Sequence, residues 1–317
     1  MIDRLSYSEI LEIVENFPAL MLVGPRQVGK TTLAKTLGKT CGKAWHYFDL
    51  ENPNHRFALE NNPVEVLSPL MNDLVVLDEV QCLPSIFSVL RSLIDEYRVP
   101  GRFILTGSAD PALVKGVSES LAGRIIYNEM TQLNLLEAAS SGIDMEKHWF
   151  RGGFPEALTY KSDKIFSLWV KSFIEAYVHR DLNSFFGVNL NAVQVNKLWG
   201  MMAHLNGTTE NLENLGRSLG LTGTTVKRYI DFMQGSYLVR RLPPWFENHG
   251  KRLVKSSKMY LRTSGILHYL LNITDYNQLM KHPALGASWE GYVIEQIATC
   301  LPEGVEMFFY RTHQGAE

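Results

Sequence analysis

Residues 24–32 have the composition of a loop that binds phosphate. They read GPRQVGKTT, in which two glycines separated by four residues precede a lysine and two threonines. Glycine permits the positive φ angles that turn backbone N–H groups towards an anion. Lys30 is expected to reach the β and γ oxygens of a nucleoside triphosphate, and the Thr31 hydroxyl to bind Mg²⁺. The stretch predicts ATP and Mg²⁺ as cofactors, unless it is a chance cluster of turn residues. The residues expected to line the nucleotide are Gly24, Pro25, Arg26, Gln27, Val28, Gly29, Lys30, Thr31 and Thr32.

A second group of candidate residues follows another apolar run. Leu74–Leu77 are continuously apolar and precede Asp78 and Glu79, about fifty residues after the glycine-rich loop. Asp78 is expected to hold the water shell of Mg²⁺, and Glu79 to polarise an attacking water as a general base. The alternative is a strand followed by two solvated acids. The spacing from the loop favours the paired site.

A third run, Arg102–Asp110, ends in polar residues. Thr106 and Ser108 are expected to sense a γ-phosphate or the attacking water, and the alternative is a plain turn at Gly107. Lys30, Glu79 and Ser108 are therefore the catalytic candidates from these three runs.

The elements that must position these residues follow from the apolar pattern. Ala19–Gly24 is a short apolar run before the loop, and residues 30–40 have helical spacing, with Leu33 and Leu37 on one face. Two further strands are predicted at Ala44–Leu50 and Arg124–Met130. Alternating strands and helices predict an α/β fold with a parallel sheet, whose ligand site lies at the carboxyl ends of the strands.

The bulk composition limits the remaining possibilities. The 317 residues suit two or three domains, and the net charge of −2 means that any nucleic-acid site is local. No apolar run approaches the roughly 20 residues needed to cross a bilayer, and the start has no secretory pattern. Three dispersed cysteines, Cys41, Cys82 and Cys300, fit a reducing compartment. We therefore expect a cytoplasmic protein without a membrane partner.

The middle of the chain, from Thr131 to about Asn206, is predicted to be helical. An aromatic stripe in residues 164–182 indicates packing, and RGGFPEAL at 151–158 is a glycine-rich bend before a helix. Arg151 and Arg180 either report the nucleotide state or form buried ion pairs. The predicted stripe consists of Ile165, Leu168, Trp169, Phe173, Ala176 and Tyr177.

Residues 208–245 predict a helix-turn-helix followed by a wing. One helix ends at Gly220, and a second is expected to open with Thr224 and Thr225 at its cap, before a strand in SYLVRRL. Arg217–Arg262 contains ten basic and two acidic residues, which fits phosphate contacts. The alternative is a contact with protein. The expected core residues are Leu215, Leu219, Val226, Ile230 and Met233, and the expected nucleic-acid contacts are Thr224, Thr225, Lys227 and Arg228.

The runs GPRQVGKTTLAK, VVLDEVQ, FILTGSAD, SLAGRI, RGGFPEAL and HRDL resemble a large prokaryotic family of predicted AAA+ ATPases with a C-terminal domain of unknown function. The resemblance extends over nearly all of the chain. It implies that the first two runs are the Walker A and Walker B motifs and that Ser108 is the sensor-1 residue. It makes Arg124 a candidate for contacting a γ-phosphate, in cis or from a neighbouring subunit of a homo-oligomer, unless it forms a surface salt bridge.

The same resemblance implies how the rest of the chain is divided. We expect a P-loop ATPase domain at 1–140, a helical lid at 141–206, a winged helix at 207–270 and a partial α/β segment at 271–317. The last segment resembles the start of a PD-(D/E)XK nuclease-like fold, with Glu290 and Glu295 on a helix and a strand in EMFFYRT. Because a second acid and a lysine are missing, we expect no nuclease activity. The family has an aspartate where this chain has Thr263.

These observations lead to one leading hypothesis and two alternatives. The leading hypothesis is a Mg²⁺-dependent ATPase that acts as a switch or remodeller near double-stranded DNA. The alternatives are a DNA-binding regulator that binds ATP with little hydrolysis and a protein-interaction switch.

Overall fold

The computed structural model describes residues 2–108, 121–178, 191–245, 256–302 and 304–311. The chain divides into two compact units, residues 1–132 and 133–317. The finer division of the second unit into lid, winged helix and end segment stays a prediction. None of the helices described is long and apolar enough to span a membrane.

The first unit alternates helices and strands, as the sequence predicts. The five strands predicted for this unit all form: four have slightly shorter bounds, and the run Leu74–Leu77 extends by one residue to Asp78. The described elements are α1 (Tyr7–Asn16), β1 (Ala19–Val23), α2 (Lys30–Thr40), β2 (Trp45–Asp49), α3 (Pro53–Asn61), α4 (Pro63–Leu67), β3 (Leu74–Asp78), α5 (Ile86–Glu96), β4 (Phe103–Gly107) and β5 (Ile125–Glu129).

The five strands form one parallel sheet in the order β2-β3-β4-β1-β5. The three central strands, β3, β4 and β1, are buried throughout, which explains why their sequences are continuous apolar runs. In the register, Val23 lies beside Gly107 on one side and Glu129 on the other. The residues that follow β1, β3 and β4 therefore meet at one edge of the sheet. This confirms the predicted α/β fold.

The second unit is mostly helical and contains a small antiparallel sheet in the order β6-β8-β7. Its described elements are α6 (Leu135–Ser140), α7 (Met145–Arg151), α8 (Pro155–Thr159), α9 (Asp163–Ala176), α10 (Ala192–His204), β6 (Thr208–Thr209), α11 (Leu212–Leu219), α12 (Gly223–Gly235), β7 (Val239–Leu242), β8 (Lys258–Leu261), α13 (Ser264–Leu270), α14 (Tyr276–Leu279) and α15 (Leu285–Ala298).

Helices α11 and α12 are joined by a short turn. Gly220 ends α11 in the left-handed conformation, with φ of 67°, as expected of a C-terminal glycine. The N-cap of α12 is Thr222, whose side chain accepts a hydrogen bond from the backbone N–H of Thr225. The prediction that Thr224 and Thr225 cap this helix is therefore wrong by two to three residues, because the extended residue that can act as a cap is Thr222. Of the predicted core residues, Leu215, Val226, Ile230 and Met233 are buried, and Leu219 is half-buried.

The glycine-rich bend after α7 has a packing explanation. A Cβ atom on Gly265, at the start of α13, would lie 2.1 Å from the carbonyl oxygen of Arg151. Gly152 has φ of +74°, and a Cβ there would lie 2.7 Å from the methyl carbon of Thr263. Glycines at both positions therefore allow the end of α7 to lie against the start of α13.

Arg151 itself forms an ion pair, which was one of its two predicted roles, although only its own side chain is buried and that of Asp163 is partly exposed. Its guanidinium donates to Asp163 at 2.7 and 2.9 Å and to the backbone carbonyl of Tyr160 at 2.5 Å. Arg180, and the HRDL run that contains it, lie outside the described residues.

Two sequence predictions about the second unit are wrong in detail. The buried face of α9 contains Phe166, Val170, Phe173 and Ile174, whereas Ile165 and Leu168 are exposed. No regular strand forms among the described residues 304–311; Phe309 makes a single bridge with Pro244. The physical reason is that the facing residues include two prolines, Pro243 and Pro244, which lack the N–H that a ladder requires.

Candidate nucleotide site

The loop between β1 and α2 has the backbone of a phosphate-binding loop. Gly24, Gln27 and Gly29 have φ of 140°, 64° and 101°. A Cβ atom on Gly24 would lie 2.2 Å from the carbonyl oxygen of Met130, so only glycine fits at this point. Gly29 is the N-cap of α2, so the loop leads directly into a helix N-terminus, where the helix dipole favours an anion.

Lys30 is held inside this loop. Its side chain is buried, and Nζ donates hydrogen bonds to the carbonyl oxygens of Gly24 at 2.9 Å and Pro25 at 2.8 Å, and to Ser108 Oγ at 3.0 Å. The third bond joins the loop to the end of β4. The structure therefore brings together a cation and a hydroxyl that lie 78 residues apart in the sequence.

Asp78 lies at the end of β3 and accepts hydrogen bonds from three hydroxyl groups. Thr31 Oγ1 lies 3.1 Å from Oδ1 and 2.9 Å from Oδ2, and the Tyr47 hydroxyl donates to Oδ2 at 2.6 Å. The Thr106 hydroxyl also donates to Oδ1. The carboxylate is thus fixed by side chains from α2, β2 and β4.

Glu79 turns its carboxylate back towards β4. Its backbone is in the left-handed region, with φ of 56°, and its N–H donates to Thr106 Oγ1 at 3.0 Å. Ser108 Oγ donates to Oε1 at 3.0 Å, and Gln81 Nε2 donates to Oε2. A continuous hydrogen-bonded path therefore runs from Lys30 through Ser108 to Glu79.

The donor set at this edge of the sheet fits Mg²⁺. The ion prefers oxygen ligands and keeps several waters, so a hydroxyl and one carboxylate beside a phosphate-binding loop are suitable partners. Thr31 and Asp78 provide these two groups in direct contact. Among the residues that the structure describes, no cluster of three or more His, Cys, Asp or Glu side chains could hold a metal ion by itself.

Two neutral groups next to the acids stay protonated near pH 7. Burial, followed by the hydrogen bond to Asp78 and nearby negative charges, raises the pKa of the Tyr47 hydroxyl strongly. Burial and then the charge of Glu79 raise the pKa of the Cys82 thiol to about 11. Tyr47 therefore remains a hydrogen-bond donor to Asp78.

Sequence reasoning missed two residues of this site. Tyr47 lies on β2, where it pairs in register with Val76 of β3, and Gln81 lies in a short 3₁₀ turn after Glu79. The only sequence signal for Tyr47 is its place in the predicted strand Ala44–Leu50. The sequence signal for Gln81 is weaker and consists only of its position two residues after Glu79.

Arg124 does not join this site within the chain. It precedes β5, whose first residue, Ile125, pairs with Ala19 at the amino end of β1. The five residues of the strand, at about 3.3 Å each, separate it by about 16 Å from the edge with the loop. Its guanidinium binds Asp95 at 2.6 and 2.8 Å. The prediction of a γ-phosphate contact in cis is therefore contradicted by the strand direction, and the salt bridge is observed.

The remaining loop residues have different surroundings. Arg26 forms an ion pair with Glu51, and Val28 is buried beneath the loop. Thr32 is exposed on the first turn of α2. Ala109 and Asp110, and Ser120 of the SLAGRI run, lie outside the described residues.

In the second unit, the predicted nucleic-acid residues lie on the surface of α12. Thr224, Lys227 and Arg228 are exposed and Thr225 is half-exposed, and Lys227 Nζ binds Asp231 at 2.9 Å. Four other cations of the basic segment, within its described residues, are paired with acids, three of which lie outside the segment in the sequence. These ion pairs are Arg240 and Arg262 with Glu295, Arg241 with Glu210 and Asp231, and Lys258 with Glu290.

Comparison with known proteins agrees with this geometry. Residues 16–139 match the model of an AAA domain, and residues 143–277 match a domain of unknown function, DUF8612. Two uncharacterized proteins, Rv2008c of Mycobacterium tuberculosis and Mb2031c of Mycobacterium bovis, are each 41% identical over 300 residues, which cover 95% of this chain. The chain spans 66% of the length of these curated relatives.

A solved structure shows the same fold at low identity. The Walker-type ATPase PABY2304 of Pyrococcus abyssi superposes with a TM-score of 0.55 and 14% identity, over 86% of this chain and 96% of that chain. The sheet order, the loop after β1 and the acids after β3 agree with the family match, so residues 16–139 are an AAA domain with the fold of that solved structure, followed by a domain of unknown function.

Proposed function

We propose that the first unit binds ATP with Mg²⁺ and hydrolyses it. The observation that carries this proposal is the hydrogen-bonded path from Lys30 through Ser108 to Glu79, with Asp78 and Thr31 in contact beside it. A site that only bound the nucleotide would have no need of a second carboxylate oriented by a polar residue at the end of β4.

Each residue has a distinct role in this proposal. Lys30 binds phosphate oxygens, and Thr31 and Asp78 hold Mg²⁺, which neutralises phosphate charge when it is bound. Glu79 orients a water molecule and accepts its proton as a general base. Ser108 links Lys30 to Glu79 and is the residue that senses occupation of the loop.

The test is ATP turnover by the full chain and two variants. Glu79→Gln is expected to lower turnover about 100-fold or more while ATP binding is retained, because only the general base is removed. Lys30→Ala is expected to weaken ATP binding at least about tenfold, because a charged hydrogen-bond donor is lost. Glu96→Gln, an exposed acid at the end of α5, is the control. Turnover unchanged in both site variants contradicts the proposal.

For the second unit we propose a winged helix at residues 207–270, as the sequence predicts. The order of one strand, two helices and two strands, with β8 between β6 and β7, supports this assignment. Its contact with double-stranded DNA through Thr224, Thr225, Lys227 and Arg228 is a proposal supported by the exposure of these residues. The pairing of most nearby cations with acids supports the alternative, a contact with a protein partner.

DNA binding at several salt concentrations distinguishes these two partners. If Lys227 and Arg228 contact phosphates, binding weakens steeply with salt, and Arg228→Ala lowers the salt slope by about 1. Lys171→Ala, on the exposed surface of α9, is a control for the loss of one charge. DNA affinity that is absent or independent of salt favours the protein partner.

A wider role follows from combining the two units. We propose a nucleotide-driven switch or remodeller acting near DNA in the cytoplasm, and ATP turnover measured with and without double-stranded DNA tests the coupling. Arg124 contacts a γ-phosphate in this proposal only from a neighbouring subunit of a homo-oligomer. The alternative is a DNA-binding regulator with little hydrolysis.

A further inference from the structure

The Asp78 carboxylate has one hydroxyl partner that no motif includes. Oδ1 accepts from Thr106, Oδ2 accepts from Tyr47 at 2.6 Å, and Thr31 lies within 3.1 Å of both oxygens. If Thr31 turns its hydroxyl to Mg²⁺, as the proposed function requires, Thr106 and Tyr47 remain as donors on opposite oxygens. Tyr47 then determines the direction of Oδ2.

A cation fixes the ring of this tyrosine. Lys35 Nζ lies 3.9 Å from the centroid of the Tyr47 ring, which is a cation–π contact. Lys35 lies one helical turn after Thr31 on α2, so the same helix that provides the Mg²⁺ hydroxyl also holds the ring beside Asp78.

We propose that Tyr47 is a positioning residue for the Mg²⁺-holding carboxylate of Asp78 and that Lys35 keeps the Tyr47 ring in the position that this requires. The inference rests on the proposed ATP site and adds a determinant of its Mg²⁺ affinity. Hydrogen-bond partners of metal-binding groups orient them, and removing such a partner commonly lowers metal affinity about 10- to 100-fold.

The experiment measures binding of a fluorescent ATP analogue to the full chain during Mg²⁺ titration, and again in EDTA. Tyr47→Phe removes only the hydroxyl and keeps the ring face for Lys35. It is expected to raise the Mg²⁺ concentration at half-saturation about tenfold, with a much smaller change in the affinity measured in EDTA. Lys35→Met is expected to act in the same direction with a smaller effect.

Tyr127→Phe is the matched control, because Tyr127 lies on β5 of the same sheet and is partly exposed. It is expected to leave the Mg²⁺ titration unchanged. Thermal unfolding without nucleotide shows whether Tyr47→Phe folds. If it does not, Lys35→Met serves as the second variant.

Two results overturn the inference. One is an unchanged Mg²⁺ concentration at half-saturation in Tyr47→Phe. If Tyr47→Phe does not fold, the same result in Lys35→Met overturns the inference. The other is an equal loss of affinity with Mg²⁺ and in EDTA, because the hydroxyl would then support the loop and not the Mg²⁺ ligand. Absence of ATP turnover in the unmodified protein contradicts the proposed hydrolysis, while these binding titrations still decide the role of Tyr47.

Discussion

At the scale of single residues, Thr106 connects the two acids. Its hydroxyl donates to Asp78 Oδ1 and accepts the backbone N–H of Glu79, and the residue is fully buried. Because Glu79 has the left-handed backbone that a glutamate rarely adopts, this N–H bond helps to keep it there. One side chain therefore stabilises both the carboxylate assigned to Mg²⁺ and the backbone of the assigned base.

We predict that Thr106→Val loses both contacts while keeping the volume of the side chain. Leaving a buried N–H and a carboxylate oxygen without this partner is expected to cost about 1–3 kcal/mol of unfolding free energy. ATP turnover is also expected to fall. Urea unfolding and steady-state turnover check this, with Thr106→Ser, which keeps the hydroxyl, as the control. A Thr106→Val protein as stable and active as Thr106→Ser contradicts the prediction.

The sequence was sufficient for some of these residues and not for others. Lys30, Thr31, Asp78, Glu79 and Ser108 follow three apolar runs, and parallel strands bring their ends to one edge, so their proximity was predictable. Tyr47 and Gln81 depend on side-chain directions in neighbouring elements, which spacing along one chain does not encode.

Arg124 shows a different limit of sequence reasoning. Its position beside an apolar run was predictable, but it precedes β5, whereas the site residues follow their strands. A motif match alone does not tell which end of a strand a residue occupies.

At the scale of elements, the contact between α7 and α13 depends on Gly265, which has no side chain. Gly265→Ala is expected to lower the unfolding free energy by about 3 kcal/mol, because the added Cβ would lie 2.1 Å from the Arg151 carbonyl oxygen and force the helices apart. Chemical unfolding monitored by tryptophan fluorescence measures the change.

A glycine in another helix of the same unit provides the control. Among the described residues, a Cβ atom added to Gly200, within α10, would have no neighbour within 4 Å. Gly200→Ala is therefore expected to be neutral or to stabilise the protein by up to about 1 kcal/mol. Equal effects at the two positions contradict the proposed steric explanation.

Two predictions about elements were wrong because the structure of a segment also depends on the segment packed against it. The amphipathic pattern of α9 located the helix but placed its buried face one residue away, because aromatic residues lie on both sides of the boundary. Residues 306–311 have strand-like alternation, yet a strand needs a partner with free N–H groups, and the facing prolines provide none.

At the scale of the whole molecule, the net charge of a sequence window differs from the net charge around the same residues in the folded protein. The window from Arg217 to Arg262 has a formal excess of positive charge, but Glu210, Glu290 and Glu295 lie outside it and pair with its side chains. Burial alone raises the pKa of Glu295, but the charges of Arg262 and Arg240 lower it overall, so it stays ionised. Within the described part of this window, the charge count along the sequence therefore overstates the uncompensated positive charge.

The second unit also contains a buried, uncharged histidine that makes stability depend on pH. Burial lowers the pKa of His268 to about 4, while its ring nitrogens contact the carbonyl oxygen of Phe150 and the hydroxyl of Ser288. In the unfolded chain its pKa is about 6.5. As the pH falls, His268 is therefore protonated in the unfolded chain before it is protonated in the folded protein. Its contribution to the unfolding free energy is complete above pH 6.5 and is lost as the pH falls towards 4.

We predict that this histidine contributes a loss of about 2 kcal/mol of unfolding free energy between pH 7.5 and pH 5. Urea unfolding at the two pH values measures it, and His268→Gln is expected to reduce the difference. His282→Gln, at a second histidine of the same unit, is the control for the loss of one histidine side chain. A pH dependence that is unaltered by His268→Gln contradicts the prediction.

The close approach of Gly24 and Met130 has a consequence for how the chain leaves the first unit. Met130 donates its N–H to Val23 and covers the first glycine of the loop with its carbonyl oxygen, and the first unit ends two residues later, at Gln132. The exit peptide of the unit is therefore part of the wall of its phosphate loop. Under the proposed function, a change in the loop backbone on nucleotide binding would act on this peptide through a direct contact.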